Sequence, residues 1–398
     1  MFRAATRSTF LALSIFSCFS LTGFGTDALS SAQSQAGPAL LNTVNSTAAY
    51  IYVSSRSDGR EVGINAYRAA SDGELSLVPG SPFPTDTTFS ASLAANGAHL
   101  FLTNGVDIHS YSIATDGSLQ PGASIDAQGL NQSNCGGPVV LFTDRTRATL
   151  YDLDIYSDCA NNAYQFFDAR ATGKLSYIGV TAASSPIFDV PLSFLANNQY
   201  AYGASCYHWS QEIFGFGRFS DGTLTDLNLA ATMPTSRPQQ FYCPYLAATD
   251  ATNHLAVSMQ AIDNSTLQPT GASQLATYTA DSSGSLSTRS TYSNMPSTAV
   301  STITAMSMSP SGKLLAVAGT GGVQVFHFNG TSPITPYTGL LTTGEVDGVS
   351  WDNENHLYAL SQSAGKVFVF TVTVTSHSQA PRSPYAISKP ENLVVVAK

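Results

Sequence analysis

Apolar positions in this chain fall into short alternating runs, each closed by a glycine turn and answered by a second short run. Tyr67 and Arg68 lead to Ser71-Asp72-Gly73 and Leu75, and Tyr111–Ile113 lead to Thr115-Asp116-Gly117 and Leu119. The pattern returns before Gly173 and Leu175, before Gly222 and Leu224, before Gly284 and Leu286, and before Asn329-Gly330 and Ile334. Val367–Val374 form a seventh copy without the glycine. Alternation with period two predicts half-buried strands. Asp-Gly and Asn-Gly predict tight hairpins, because glycine accepts positive φ without a steric penalty.

A second hairpin precedes most of these. Met306–Met308, the turn Ser309-Pro310-Ser311-Gly312 and Leu314–Ala318 show it most clearly. Leu93, Ala95-Asn96-Gly97 and Leu100–Leu102 repeat it, as do Val349–Trp351, Asn353–Asn355 and Leu357–Leu360. Each unit is thus four short antiparallel strands, and no amphipathic helical run interrupts them. Such a unit cannot cover its own two faces, so copies must stack. The fold class is therefore all-β: a seven-bladed β-propeller of four-stranded antiparallel blades. Tyr50–Val53 reads as a second strand with no first strand before it, and Leu393–Val396 as a strand without a blade. The C-terminal strand is expected to complete blade 1 and close the ring, hiding both edges.

The first 32 residues read differently. Arg3 and Arg7 precede an apolar run, Phe10–Leu21, that is too short to span a bilayer. This is the layout of a secretory signal, with cleavage after Ala32 at Ser30-Ser31-Ala32. Residues 33–46 are then a linker and 47–398 the propeller. The alternative is a lipid anchor on Cys18, since Ile15-Phe16-Ser17-Cys18 has the outline of a lipobox. Either route delivers the chain outside the cytoplasm, periplasmic or secreted, with no transmembrane segment. The net charge is −9 and charged residues make up 11% of the 398, so the basic face that nucleic acid requires is missing. A monomer is expected.

The tetrapeptide Tyr50-Ile51-Tyr52-Val53, the repeated glycine turns, and Gly80-Ser81-Pro82-Phe83-Pro84 with its echo Ser383-Pro384-Tyr385 resemble the lactonase-type seven-bladed propellers. These are the 6-phosphogluconolactonase-like and YVTN-repeat proteins. The resemblance implies the propeller and, as one activity, hydrolysis of a lactone or sugar ester. Enzymes of that family carry His-Pro-Asn-Gly turns and a charged residue closing certain second strands. Here the turns read Ala94-Ala95-Asn96-Gly97 and Ser309-Pro310-Ser311-Gly312, and the second strand of blade 2 ends at Thr103-Asn104.

Loops of a propeller alternate between two faces. The glycine turns share one. The longer loops share the other, where binding groups usually sit. Cys135, Cys159, Cys206 and Cys243 all map to the long-loop face, and in an oxidising compartment the repeat phase favours Cys135–Cys159 and Cys206–Cys243 as disulfides. No Cys-x-x-Cys pair or other metal pattern occurs, so neither metal nor cofactor is expected. The densest polar group on that face is Tyr207, His208, Trp209 and Glu212 opposite Arg237, Gln240 and Tyr242, with Asp158 beside them. Trp209, Glu212, Gln240, Tyr242 and Asp158 are the candidate ligand-binding residues. The ligand is a small molecule, a glycan or a protein. If the protein is a hydrolase instead, His208 is the candidate base and Arg237 the candidate oxyanion donor. His99, His254 and His356 recur at the start of second strands on the tight-turn face, which suggests a structural role.

Overall fold

The computed structural model describes residues 46–398, apart from 57–61, 91, 131–136, 156–162, 171–172, 182–189, 207–208, 210 and 230. The signal and linker expected at residues 1–46 thus lie, but for residue 46, outside the described residues. The described chain forms seven antiparallel sheets of four strands, two of which carry a short fifth strand. Blade 1 is built on Thr47–Arg56 and Val62–Ala70, and blade 7 on His356–Ser361 and Lys366–Val372.

Closure is as expected. Pro390–Ala397 pairs antiparallel with Thr47–Arg56 from Val396 opposite Tyr50 to Asn392 opposite Ser54. It becomes the innermost strand of blade 1. Arg56 Nε donates to Glu391 Oε1 at 2.9 Å, fixing one end of this seam, and the Lys398 ammonium lies over the Tyr50 ring at 4.8 Å.

The apolar core is divided among the junctions between blades. Each of seven clusters spans one junction: Tyr52 and Ile64 meet Leu100 and Leu102 between blades 1 and 2, while Ile51 and Val53 meet Tyr358 and Val369 between blades 7 and 1. One strand therefore feeds two clusters through its alternate residues. A strand buried on both faces reads as an unbroken apolar run, which is why Tyr50–Val53 stood out.

The glycine turns lock neighbouring blades together. Gly73, Gly117, Gly173, Gly222, Gly284 and Gly330 all have positive φ. Each packs on the start of the second strand in the preceding blade. A Cβ at Gly173 would sit 2.5 Å from the His99 ring, and one at Gly117 2.4 Å from the Tyr50 ring. Three tyrosine hydroxyls fasten the same contact: Tyr52 donates to the Gly117 carbonyl, Tyr151 to that of Gly222 and Tyr202 to that of Gly284, at 2.7–2.9 Å. His356 and His254 lie against Gly73 and Gly330 at these seams. Their Nδ1 atoms are 2.7 and 3.0 Å from Asp352 and Asp250 Oδ2. This is a hairpin cap repeated in two blades.

The Ser-Pro echo is also structural. Phe83–Pro84 and Tyr385–Ala386 each add a short strand to the third strand of their blade. Ser81 and Ser383 Oγ accept from the backbone N–H of Ala66 and Val369 at 2.9 and 2.8 Å.

One local expectation changes. The stretch from Gln260 to Gln274 reads as a loop, yet the strand His254–Asp263 runs on into it, paired with Gln240–Thr249 as far as Gln240 opposite Asp263. Asp263 then caps the turn, accepting from the N–H groups of Ser265 and Thr266 at 2.9 Å. These bonds and that of the Ser265 hydroxyl pull its carboxyl down to about 2. The chain then folds back, Asp263 N–H donating to the Gln268 carbonyl and Thr270 N–H to that of Ala261, so blade 5 carries an extra hairpin at Ala261–Thr270 on the long-loop face.

Candidate functional site

The raised hairpin of blade 5 organises the long-loop face. A disulfide joins Cys206, after the second strand of blade 4, to Cys243 in the innermost strand of blade 5, with Cα atoms 5.2 Å apart. The expected partners Cys135 and Cys159 lie outside the described residues. The Cys206–Cys243 bond closes a loop of 37 residues, so chain-entropy reasoning gives it about 3–4 kcal/mol. Cys206→Ser and Cys243→Ser are each expected to lower the urea midpoint accordingly. The wild-type protein in the absence of reducing agent is the reference, and a midpoint unchanged in both variants would show that this bond adds nothing to stability.

Of the residues singled out in the sequence, Arg237, Gln240 and Tyr242 come together and line one cleft of about 180 Å³ with Gln274, Ser297 and Thr270. Arg237 stands over the Tyr292 ring at 5.6 Å, a cation–π contact that orients its guanidinium. Tyr242 is buried, and its hydroxyl donates to Gln274 Oε1 at 2.7 Å. Gln274 Nε2 in turn donates to the Met295 carbonyl. Tyr242 therefore braces the cleft wall.

Trp209 is 43% exposed and meets Phe241 edge-on at 6.3 Å. It flanks the same hairpin. Glu212 is the first residue of the strand Glu212–Arg218 and pairs with Ser205. His208 and Asp158 lie outside the described residues.

A second, larger cleft adjoins the first across Gly271 and Ala272. Its volume is about 500 Å³, and Tyr245, Ser258, Gln260, Thr298, Ser301 and Thr302 are among its lining residues. It sits where the innermost strand of blade 6, Ile303–Met308, begins, at the long-loop end of the ring. Gln260 shapes the wall between the clefts. Its Nε2 donates to the Gly271 carbonyl at 3.2 Å and its Oε1 accepts from Ser273 Oγ at 2.9 Å.

Three features give this cleft its chemistry. Among the described residues, no Asp, Glu, Lys, Arg or His lines it. Tyr245 is 43% exposed, offering an aromatic face, and burial pushes its phenol above the ordinary 10, so the ring is uncharged at physiological pH. Thr298 is buried with its Oγ1 lacking any hydrogen-bond partner, which is costly unless a ligand or water supplies one. The cleft can accept and donate hydrogen bonds and stack a ring, and none of its described lining residues exchanges a proton near neutral pH. Sequence reasoning missed it. Serine, threonine and glutamine are common throughout this chain, and only the raised hairpin brings these together.

No protein-family model matches the sequence, and neither does any curated protein. Solved structures do resemble it in fold. A Lactobacillus plantarum protein matches with a TM-score of 0.63 at 13% identity, over 87% of this chain and 99% of that one. The periplasmic gluconolactonase of Pseudomonas aeruginosa matches with a TM-score of 0.61 at 15% identity, over 88% and 99%. A Bacteroides fragilis protein proposed to be a 6-phosphogluconolactonase matches with 0.58 at 13%, over 89% and 99%. The chain therefore has the seven-bladed propeller fold of the 6-phosphogluconolactonase-like proteins.

Proposed function

We propose that this is an exported binding protein whose cleft between blades 5 and 6 takes a neutral, polyhydroxylated ligand, a sugar or a glycan end. The observation that carries the reading is the lining of that cleft: hydroxyls and an amide, one exposed tyrosine, and no ionic side chain among the described residues. Its volume falls in the range of roughly 300–1,000 Å³ usual for small-molecule sites. The unpartnered Thr298 hydroxyl awaits a hydrogen bond, and the Tyr245 ring suits the apolar face of a pyranose. Arg237 and Trp209, beside the adjoining cleft, extend the surface for a longer glycan. Export is supported by the Cys206–Cys243 bond, since disulfides persist in oxidising compartments. A sugar lactone reaching into the adjoining cleft, which Arg237 lines, gives the second reading, a lactonase like the one named among the structural neighbours, with His208 as base and Arg237 as oxyanion donor.

Calorimetric titration with neutral monosaccharides and oligosaccharides tests the proposal. Tyr245→Ala is expected to weaken binding at least tenfold, about 1.4 kcal/mol. Thr298→Val keeps the side-chain shape and should weaken binding without lowering the melting temperature, because no hydrogen bond in the fold is lost. Binding that neither variant changes, or no binding of any neutral sugar, would overturn the assignment.

A further inference from the structure

Away from that face, blade 3 buries two carboxylates against blade 2. Along the strand Thr149–Ile155, Tyr151 and Leu153 join the cluster shared with blade 4, while Leu150 joins the one shared with blade 2. Asp152 and Asp154 have the parity of Leu150 and so point toward blade 2. Both are fully buried. Gln165, also fully buried, is the register partner of Asp152 on the adjacent strand. Its Nε2 donates to Asp154 Oδ2 at 3.0 Å and to the Ala127 carbonyl of blade 2 at 3.1 Å.

The amide is thereby oriented with both N–H groups committed, and its Oε1 has no hydrogen-bond donor. Neither oxygen of Asp152 has one either. Three buried oxygen acceptors without a donor, next to a second carboxylate, are an expensive arrangement by themselves. A bound cation would satisfy the Asp152 and Gln165 oxygens together.

We propose that Asp152, Asp154 and Gln165 form a buried cation site between blades 2 and 3, with calcium as its ion. The ligands are all hard oxygens, which calcium prefers, and it tolerates irregular geometry with water completing its shell. The site is separate from the sugar-binding cleft, and a bound ion would add its binding energy to the folded state.

The test uses the whole mature protein, with its metal content measured by mass spectrometry and its melting followed in EGTA and then in added calcium chloride. The expected result is about one calcium per chain, a melting temperature lowered by several degrees in EGTA, and recovery with calcium. Asp152→Asn should abolish the calcium response and, in EGTA, melt above the wild type, because it removes an uncompensated charge. The lost calcium response is what separates a ligand from a merely structural carboxylate. Asp154→Asn provides the same test should the first variant fold poorly. Two results would overturn the proposal. One is a calcium response that survives both substitutions. The other is a protein without calcium, indifferent to EGTA, whose stability rises on acidification from pH 7 to 5, which would make the pair a holder of protons.

Discussion

Removal of residues 390–398 is expected to abolish the cooperative unfolding transition of the propeller. The strand Pro390–Ala397 fills the innermost position of blade 1. Val395 and Val396 are buried, one in each of the two junction clusters that blade 1 shares, and Leu393 and Val394 pack partly against them. At about 1.5–3 kcal/mol for a fully buried aliphatic side chain, this strand contributes roughly 5–8 kcal/mol. That is comparable to the whole stability of an ordinary domain, about 5–15 kcal/mol. Its loss also bares the edge of Thr47–Arg56, an apolar strand ready to pair with another chain. The truncated protein should elute as aggregate and be cut rapidly by protease. A monomer melting within a few degrees of the full chain would show that closure through this strand is not what holds the ring together.

The second large effect is expected at the junction of blades 3 and 4. Arg218 Nη2 lies 2.6 Å from Asp144 Oδ2, with side chains 8% and 0% exposed. Arg218 also donates to Thr149 Oγ1 at 2.9 Å and to the Tyr151 hydroxyl at 3.1 Å. Asp144 accepts further from the Ala148 N–H and from Asn198 Nδ2, both at 2.9 Å. Removing one partner of a buried pair strands the other's charge, at a cost of about 3–5 kcal/mol. Arg218→Met should therefore lose that much stability in urea unfolding. Adding Asp144→Asn to it should restore a good part, since the stranded charge disappears. A loss below about 1 kcal/mol for Arg218→Met would mean that water reaches Asp144 and the pair is screened.

How much of this was legible beforehand follows from what repeats and what does not. The glycine turns, the Tyr50–Val53 run and the orphan strand at Leu393–Val396 specify blade number, closure and phase, because every copy must satisfy the same backbone geometry. The Ser-Pro echo and the recurring histidines were visible for the same reason. The phase also placed Cys206 near Cys243, and Arg237 near Gln240 and Tyr242. Tyr242 is a brace whose hydroxyl is spent on Gln274, which residue type alone does not reveal. Tyr245, Thr298 and Ser301 carried no signal, since a neutral cleft is built from residues ordinary anywhere on a surface. Asp152 and Asp154 were equally silent. Their i, i+2 spacing is unremarkable until both faces of that strand prove to be buried and Gln165 is brought opposite from the next one.

The central claim, binding without chemistry, is tested most directly by mixing the mature protein, expected to begin at Gln33, with glucono-1,5-lactone. Heat of binding and proton release from ring opening are followed in the same sample. The account predicts saturable binding that Tyr245→Ala weakens, with ring opening no faster than in buffer. Accelerated ring opening that disappears in His208→Ala or Arg237→Ala would contradict it and make the protein a lactonase.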